Sequence, residues 1–147
     1  MKILVDVNVF IDVMTKRANW EGSLRILNLV RRSPDVEGWA SALTVPLLYF
    51  FRLRVADERQ ARADAQASVR GFGLVPLNEE LISKAIASAL PDFEDNIQLA
   101  SAEAIAADHV ITRNKKHFQP SQISIMTPEE WLAVGAVAKI EADLQWS

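Results

Sequence analysis

The chain contains no cysteine. No disulfide framework, thiol nucleophile or thiolate metal site is available to it, which fits a reducing compartment and sets the expectation of a cytoplasmic protein. Glycine and proline are sparse, 5 and 6 residues in 147, and aromatic residues make up only 7%; the composition is not that of a disordered or low-complexity chain. An excess of basic residues is also lacking. Sixteen Lys and Arg stand against nineteen Asp and Glu, a formal net charge of −3. This excludes capture of nucleic acid by overall charge and leaves room only for a local basic patch. Long apolar runs are missing too. The hydrophobic opening, residues 1–14, is interrupted by Asp6 and Asp12. It reads as neither a signal-peptide core nor a membrane span.

What is present is a substantial core. Half of the residues are hydrophobic, and the length suits a single domain. Ile3-Leu4-Val5 is a short apolar run of the kind found in buried parallel strands. A helix is expected over 9–15, and another from Asn19 as N-cap to Arg32, with Leu24, Leu27 and Val30 on one face. A strand follows at 36–40. Thr44 is expected to cap a third helix that tolerates Pro46 in its first turn. The Ala-rich, charged stretch 57–70 reads as an exposed helix, punctuated by Gly71 and Gly73, and Leu74-Val75 as a strand. Asn78 caps a helix with Ile82, Ala85, Ile86 and Ala89 inward, stopped at Pro91. Asp92 opens the next, with Ile97, Ala100 and Ala104 at helical spacing. Strands at 109–112 and 123–126 frame a loop, and Thr127-Pro128-Glu129-Glu130 is a capping box beginning a terminal helix broken at Gly135. In that helix Val137, Ile140 and Leu144 form a stripe expected to pack on the domain or on a second copy. Trp20, Trp39 and Trp131 read as core or staple residues, and Trp146 as a partner contact. Strands alternating with helices predict a three-layer α/β/α sandwich around a mostly parallel sheet.

In such sheets ligands bind beyond the carboxyl ends of the strands. Asp6 and Asn8 follow the first strand, and Asp92, Glu94 and Asp95 open a helix. Each group alone is ordinary capping and helix-dipole chemistry. Taken together, carboxylates from separate strand ends can converge on a hard divalent cation, Mg²⁺ or Mn²⁺, which prefers oxygen ligands. Spacing does not decide between these readings.

The order of blocks resembles the PIN-domain family, including VapC-like toxins and PilT N-terminus-like ribonucleases. Residues 3–9 are similar to its opening, where an Asp ends the first strand and an Asn follows two residues later. Residues 41–44, 95–102, 110–118 and 125–132 resemble its later blocks. The resemblance covers about 1–134, giving a domain over 1–134 and a helical extension over 135–147. It implies a metal-dependent ribonuclease with Asp6, Asp95 and Asn114 as catalytic residues. Asp6, Asp95 and Glu94 would serve as Mg²⁺ or Mn²⁺ ligands, and Asn8, Thr112, Arg113, Lys115 and His117 would face the RNA. It also implies a homodimer and an antitoxin partner, without membrane association. Two departures stand out. Leu47 occupies the position where relatives carry a Glu, and His117 the position where they often carry an Asp. Asp92 or Glu94 can compensate, and His117 can act as a neutral nitrogen ligand.

Two further readings compete. The chain could be a PIN relative whose metal site has decayed, acting as an RNA- or protein-binding module. It could also be a phosphotransferase of the haloacid-dehalogenase type with Asp6 as nucleophile. Asn8 and the absence of a following Gly-Thr weigh against the latter.

Overall fold

In the computed structural model, which describes residues 1–118 and 121–145, the elements alternate as the sequence suggests. They run β1 (Lys2–Val5), α1 (Val7–Thr15), α2 (Trp20–Arg32), β2 (Glu37–Ser41), α3 (Thr44–Arg52), α4 (Glu58–Ser68), β3 (Gly73–Val75), α5 (Glu79–Ala87), α6 (Phe93–Ala104), β4 (His109–Ile111), a 3₁₀ turn (Lys115–Phe118), β5 (Ser124–Met126), α7 (Pro128–Leu132) and α8 (Gly135–Gln145). Trp146 lies outside the described residues.

The five strands pair in the order β3-β2-β1-β4-β5, and every pairing is parallel. Strand side chains alternate between faces, so Ile3 and Val5 enter one core while Leu4 enters the other. The first core joins β1 to α1, α2, α3, α7 and α8 through Phe10, Ile26, Leu48, Trp131 and Val137. The second joins the opposite face to α5 and α6 through Leu81, Ile97, Ala100 and Phe118. Ile3, Leu4 and Val5 are completely buried, each contributing about 1.5–3 kcal/mol. Helices on both faces bury Ile3, Leu4 and Val5 alike, which is why this stretch of β1 shows no alternation.

Several local expectations are corrected. Asn19 is the residue before α2, but its side chain makes no capping bond; its backbone is left-handed, φ 66°, a conformation Asn tolerates better than most residues. Thr44 is the first residue of α3 rather than its cap, and its hydroxyl is buried without a partner. In α5 the buried side chains are Leu81 and Ala85. Ile86 is 68% exposed, and Ala89 lies beyond the helix. Ala104, at the end of α6, is exposed.

Other expectations hold. Asn78 accepts from the Leu81 amide at 2.9 Å, and Thr127 and Glu130 form the reciprocal capping box with Pro128 inside it. The terminal helix is interrupted before Gly135. Val137 in α8 is fully buried, with Ile140 and Leu144 packed beside it. Gly71, at φ +89°, turns the chain into β3. Gly73 sits against the Trp39 ring, where an added Cβ would lie 2.5 Å from a ring carbon.

Candidate metal centre

β1 lies between β2 and β4, and its two neighbours come from different halves of the chain. The sheet order therefore reverses beside β1, at the carboxyl ends of β1 and β4, where open α/β sheets place their ligand crevice. Val5 is in register with Ile111, so the residues immediately beyond, Asp6 and Thr112, are neighbours across that crevice. The Asp6 amide donates to the Ile111 carbonyl at 3.0 Å. The Thr112 hydroxyl donates to Oδ2 of Asp6 at 2.9 Å and accepts from the Asn114 amide at 3.0 Å. The Asn8 amide adds a weaker 3.3 Å bond to the same Asp6 oxygen.

Asp6 is 0% exposed, and its other oxygen, Oδ1, is buried with no hydrogen-bond partner. Burial pushes its carboxyl up to about 6; the Thr112 bond opposes this, and the negative charges of Asp95 and then Glu94 add to it. The acids of α6 therefore act on the same centre as the acid of β1.

On α6, Asp92 is the N-cap and accepts from the Asp95 amide at 3.1 Å. Asp95 is 5% exposed. Its Oδ2 lies 2.8 Å from Nδ1 of His117, carried by the 3₁₀ turn. One ligand atom each from Asp92, Asp95 and His117 lie within 4.8 Å of one another. Burial raises the proton affinity of both Asp95 and Glu94. His117 partly offsets this for Asp95, and Asp92 adds repulsion to both.

Among the described residues, Asp6, Asp92 and Glu94 form no ion pair, and Asp95 pairs only with His117. Helix capping accounts for Asp92. It gives no reason to bury Asp6 and Asp95 in one crevice without a lysine or arginine, an arrangement that costs free energy unless positive charge is supplied. An all-oxygen set with one imidazole beside it, including a buried carboxylate oxygen without a donor, fits a divalent cation.

The remaining expected site residues divide. Asn8 and Thr112 hold Asp6. The Asn114 carbonyl accepts from the His117 amide at 2.9 Å, and the residue is half-buried. Lys115 pairs with Glu130 at 2.9 Å. Arg113 is committed elsewhere: it binds Asp12 at 2.8 Å, Glu129 at 2.6 Å, the Asn19 carbonyl at 2.7 Å and the Ser23 hydroxyl at 3.0 Å. Leu47 is half-buried in α3 and packs on the first core.

Two residues escaped the sequence reading. Asp12 is 3% exposed; its signal was an acid between Ile11 and Val13 on an otherwise apolar helix. Gln98 stands one helical turn after Asp95, is 0% exposed, and has no partner for either amide atom. Its signal was a polar residue at the inward spacing of α6.

Residues 2–116 match the PIN domain family, and the chain belongs to that family. Among solved structures it is similar to VapBC-1 from nontypeable Haemophilus influenzae, with TM-score 0.68 and 17% identity over 88% of this chain and 99% of that one. It is also similar to a toxin–antitoxin complex from Klebsiella pneumoniae, with TM-score 0.65 and 21% identity over 86% and 97%. A third is the Mycobacterium tuberculosis sarcin-ricin loop cleaving toxin VapC20, with TM-score 0.58 and 14% identity over 74% and 86%. No curated protein matches the chain in sequence.

Proposed function

We propose that the chain is a metal-dependent endoribonuclease and the toxin of a type II toxin–antitoxin pair. The observation that carries this is the completely buried Asp6, with one unpartnered oxygen, under the charge of Asp95 and Glu94 at the sheet's switch point. Asp6, Asp95 and Glu94 would hold Mg²⁺ or Mn²⁺. A divalent cation bound there supplies neutralisation of phosphate charge and activation of water. The chain's own residues do the rest. Thr112 and Asn8 fix the Asp6 carboxylate, Asp92 sets the first turn of α6, and Asn114 borders the crevice from the β4 side. Lys115, on the same 3₁₀ turn as His117, would meet an RNA phosphate on release from Glu130.

Support for the toxin reading comes from the fold's neighbours, solved as VapBC and other toxin–antitoxin structures. The RNA substrate, an antitoxin partner, a homodimer and a cytoplasmic location belong to the same proposal, as does a catalytic unit of 1–134 with α8 as an extension docked on it. Among the described residues no helix is long and apolar enough to cross a membrane. Leu47 and His117 favour the second reading, a PIN module that binds RNA or protein without cutting. Cleavage of RNA by the purified chain separates the two. The nuclease reading expects cutting with Mg²⁺ or Mn²⁺, none in chelator, and loss by orders of magnitude in Asp6→Asn and Asp95→Asn. Cleavage that survives either substitution overturns it.

A further inference from the structure

We infer that His117 is a nitrogen ligand of this centre, acting with Asp92 and Asp95, and that it makes the site select Mn²⁺ over Mg²⁺. The inference rests on the cation site proposed above and adds which ion the site prefers and why.

The first support is geometric. Nδ1 of His117 and Oδ2 of Asp95 are 2.8 Å apart. Two adjacent ligands of an octahedral cation with bonds of about 2.1 Å lie about 3 Å apart. The observed spacing therefore matches neighbouring ligands as well as it matches a hydrogen bond. Asp92 supplies a third atom within 4.8 Å of both.

The second support is that the turn carrying the imidazole is anchored beside α6. The His117 amide donates to the Asn114 carbonyl at 2.9 Å, and the next residue, Phe118, is 0% exposed in the second core.

The third support is independent of the cluster. Asp6 is completely buried and keeps an unpartnered oxygen, which the Asp95–His117 contact does nothing to satisfy. A proton shared between Asp95 and His117 would explain their contact, but it leaves the charge on Asp6 without compensation. A cation held beside Asp95 would also act on Asp6, whose carboxyl feels the Asp95 charge.

The selectivity follows from the donor set. Mg²⁺ binds oxygen almost exclusively, demands a near-ideal octahedron and gives up its waters reluctantly; Mn²⁺ also favours oxygen, but as a first-row transition ion it tolerates a single nitrogen donor better than Mg²⁺ does. Replacing a carboxylate by a neutral nitrogen also removes a negative charge, which weakens Mg²⁺ more than an ion able to bond the nitrogen.

The test uses the full chain, stripped with chelator. Mn²⁺ binding is followed by electron paramagnetic resonance, and Mg²⁺ binding by its displacement of Mn²⁺. Pulsed experiments on the Mn²⁺-loaded chain read nitrogen coupling directly. The only other histidine, His109, begins β4 at the opposite sheet edge, so a coupled imidazole is assignable. The expected result is a nitrogen coupling in the parent that disappears in His117→Asp. The Mn²⁺/Mg²⁺ affinity ratio should fall at least about tenfold in that variant, with the parent's circular dichroism retained. Mn²⁺ bound without nitrogen coupling overturns the inference and leaves the cation site standing. So does an unchanged ratio in folded His117→Asp. Failure of the parent to bind either ion overturns both. Should His117→Asp not fold, the coupling measured on the parent alone still decides.

Discussion

Nε of Arg113 donates to Oδ2 of Asp12 at 2.8 Å, joining residues 101 positions apart. Asp12 also accepts from Arg17 at 3.0 Å and from Ser23 at 2.9 Å, and the same guanidinium reaches Glu129 on α7. Arg113 thus ties α1, α2 and α7 together immediately after Thr112. Arg113→Met should lower the unfolding free energy by about 2–3 kcal/mol, because it removes one partner of a buried charge that keeps two others. Arg113→Lys should recover little, since an ammonium cannot span these acceptors as a fork. Urea denaturation measures both. Unchanged stability with weakened RNA binding would instead make Arg113 a substrate residue, as its sequence position suggests.

The Asp6 carboxylate is completely buried with one oxygen unpartnered, an arrangement expected to cost stability unless a cation compensates it. In chelator, Asp6→Asn should melt higher than the parent, by about 3 °C for each 1 kcal/mol relieved. Added Mn²⁺ should raise the parent's melting temperature and leave the variant's unchanged, because binding stabilises only the form that binds. A variant that melts lower in chelator would mean that the Asp6 charge is already compensated within the protein.

Arg25 and Glu141 clamp α8 to α2 with two bonds of 2.7 and 2.6 Å. The arginine holds the Glu141 carboxyl below its ordinary value of 4.5. A depressed carboxyl contributes stability that is present above 4.5 and lost as pH falls through the lower folded-state value. Arg25 is largely exposed, so the pair should contribute under about 1 kcal/mol at neutral pH. The stability gap between parent and Glu141→Gln should accordingly be small at pH 7 and should close below pH 4.5. Thermal melts across that range check it, and a gap that widens on acidification would contradict the assignment.

By the sequence resemblance to the PIN family, Leu47 stands where a carboxylate is expected. Leu47→Glu is expected to strengthen Mn²⁺ and Mg²⁺ binding several-fold. It should also destabilise the chain by about 1–2 kcal/mol through lost packing of a half-buried side chain. Calorimetric titration of the folded variant checks the first effect and denaturation the second. Unchanged affinity would place Leu47 outside the crevice.

Much of the fold was legible because it depends on local chemistry. The Ile3-Leu4-Val5 run, the Asn78 cap and the Thr127–Glu130 capping box are settled within a few residues, and each formed as expected. Errors arose where side chains choose between local and distant partners. Its position before an amphipathic stretch predicts a side-chain cap at Asn19. In the fold its left-handed backbone presents its carbonyl to Arg113, 94 residues away. Ile86 fits the inward spacing of α5, but the helix turns Leu81 and Ala85 to the core, and no neighbour covers Ile86.

The sequence alone determined that strands alternate with helices, that both faces of the sheet are covered, and that acids stand after β1 and at the start of α6. Those features follow from periodicity, capping and the composition of short segments. Which acids share a centre was decided only by the tertiary structure. Parallel pairing of β1 with β4 puts Thr112 beside Asp6, and the packing of α6 across the sheet brings the charge of Asp95 and Glu94 to bear on them. Arg113, although it adjoins Thr112, bonds to Asp12, Asn19 and Ser23 on the α1–α2 side. Thr112 turns to Asp6, and Arg113 turns to Asp12.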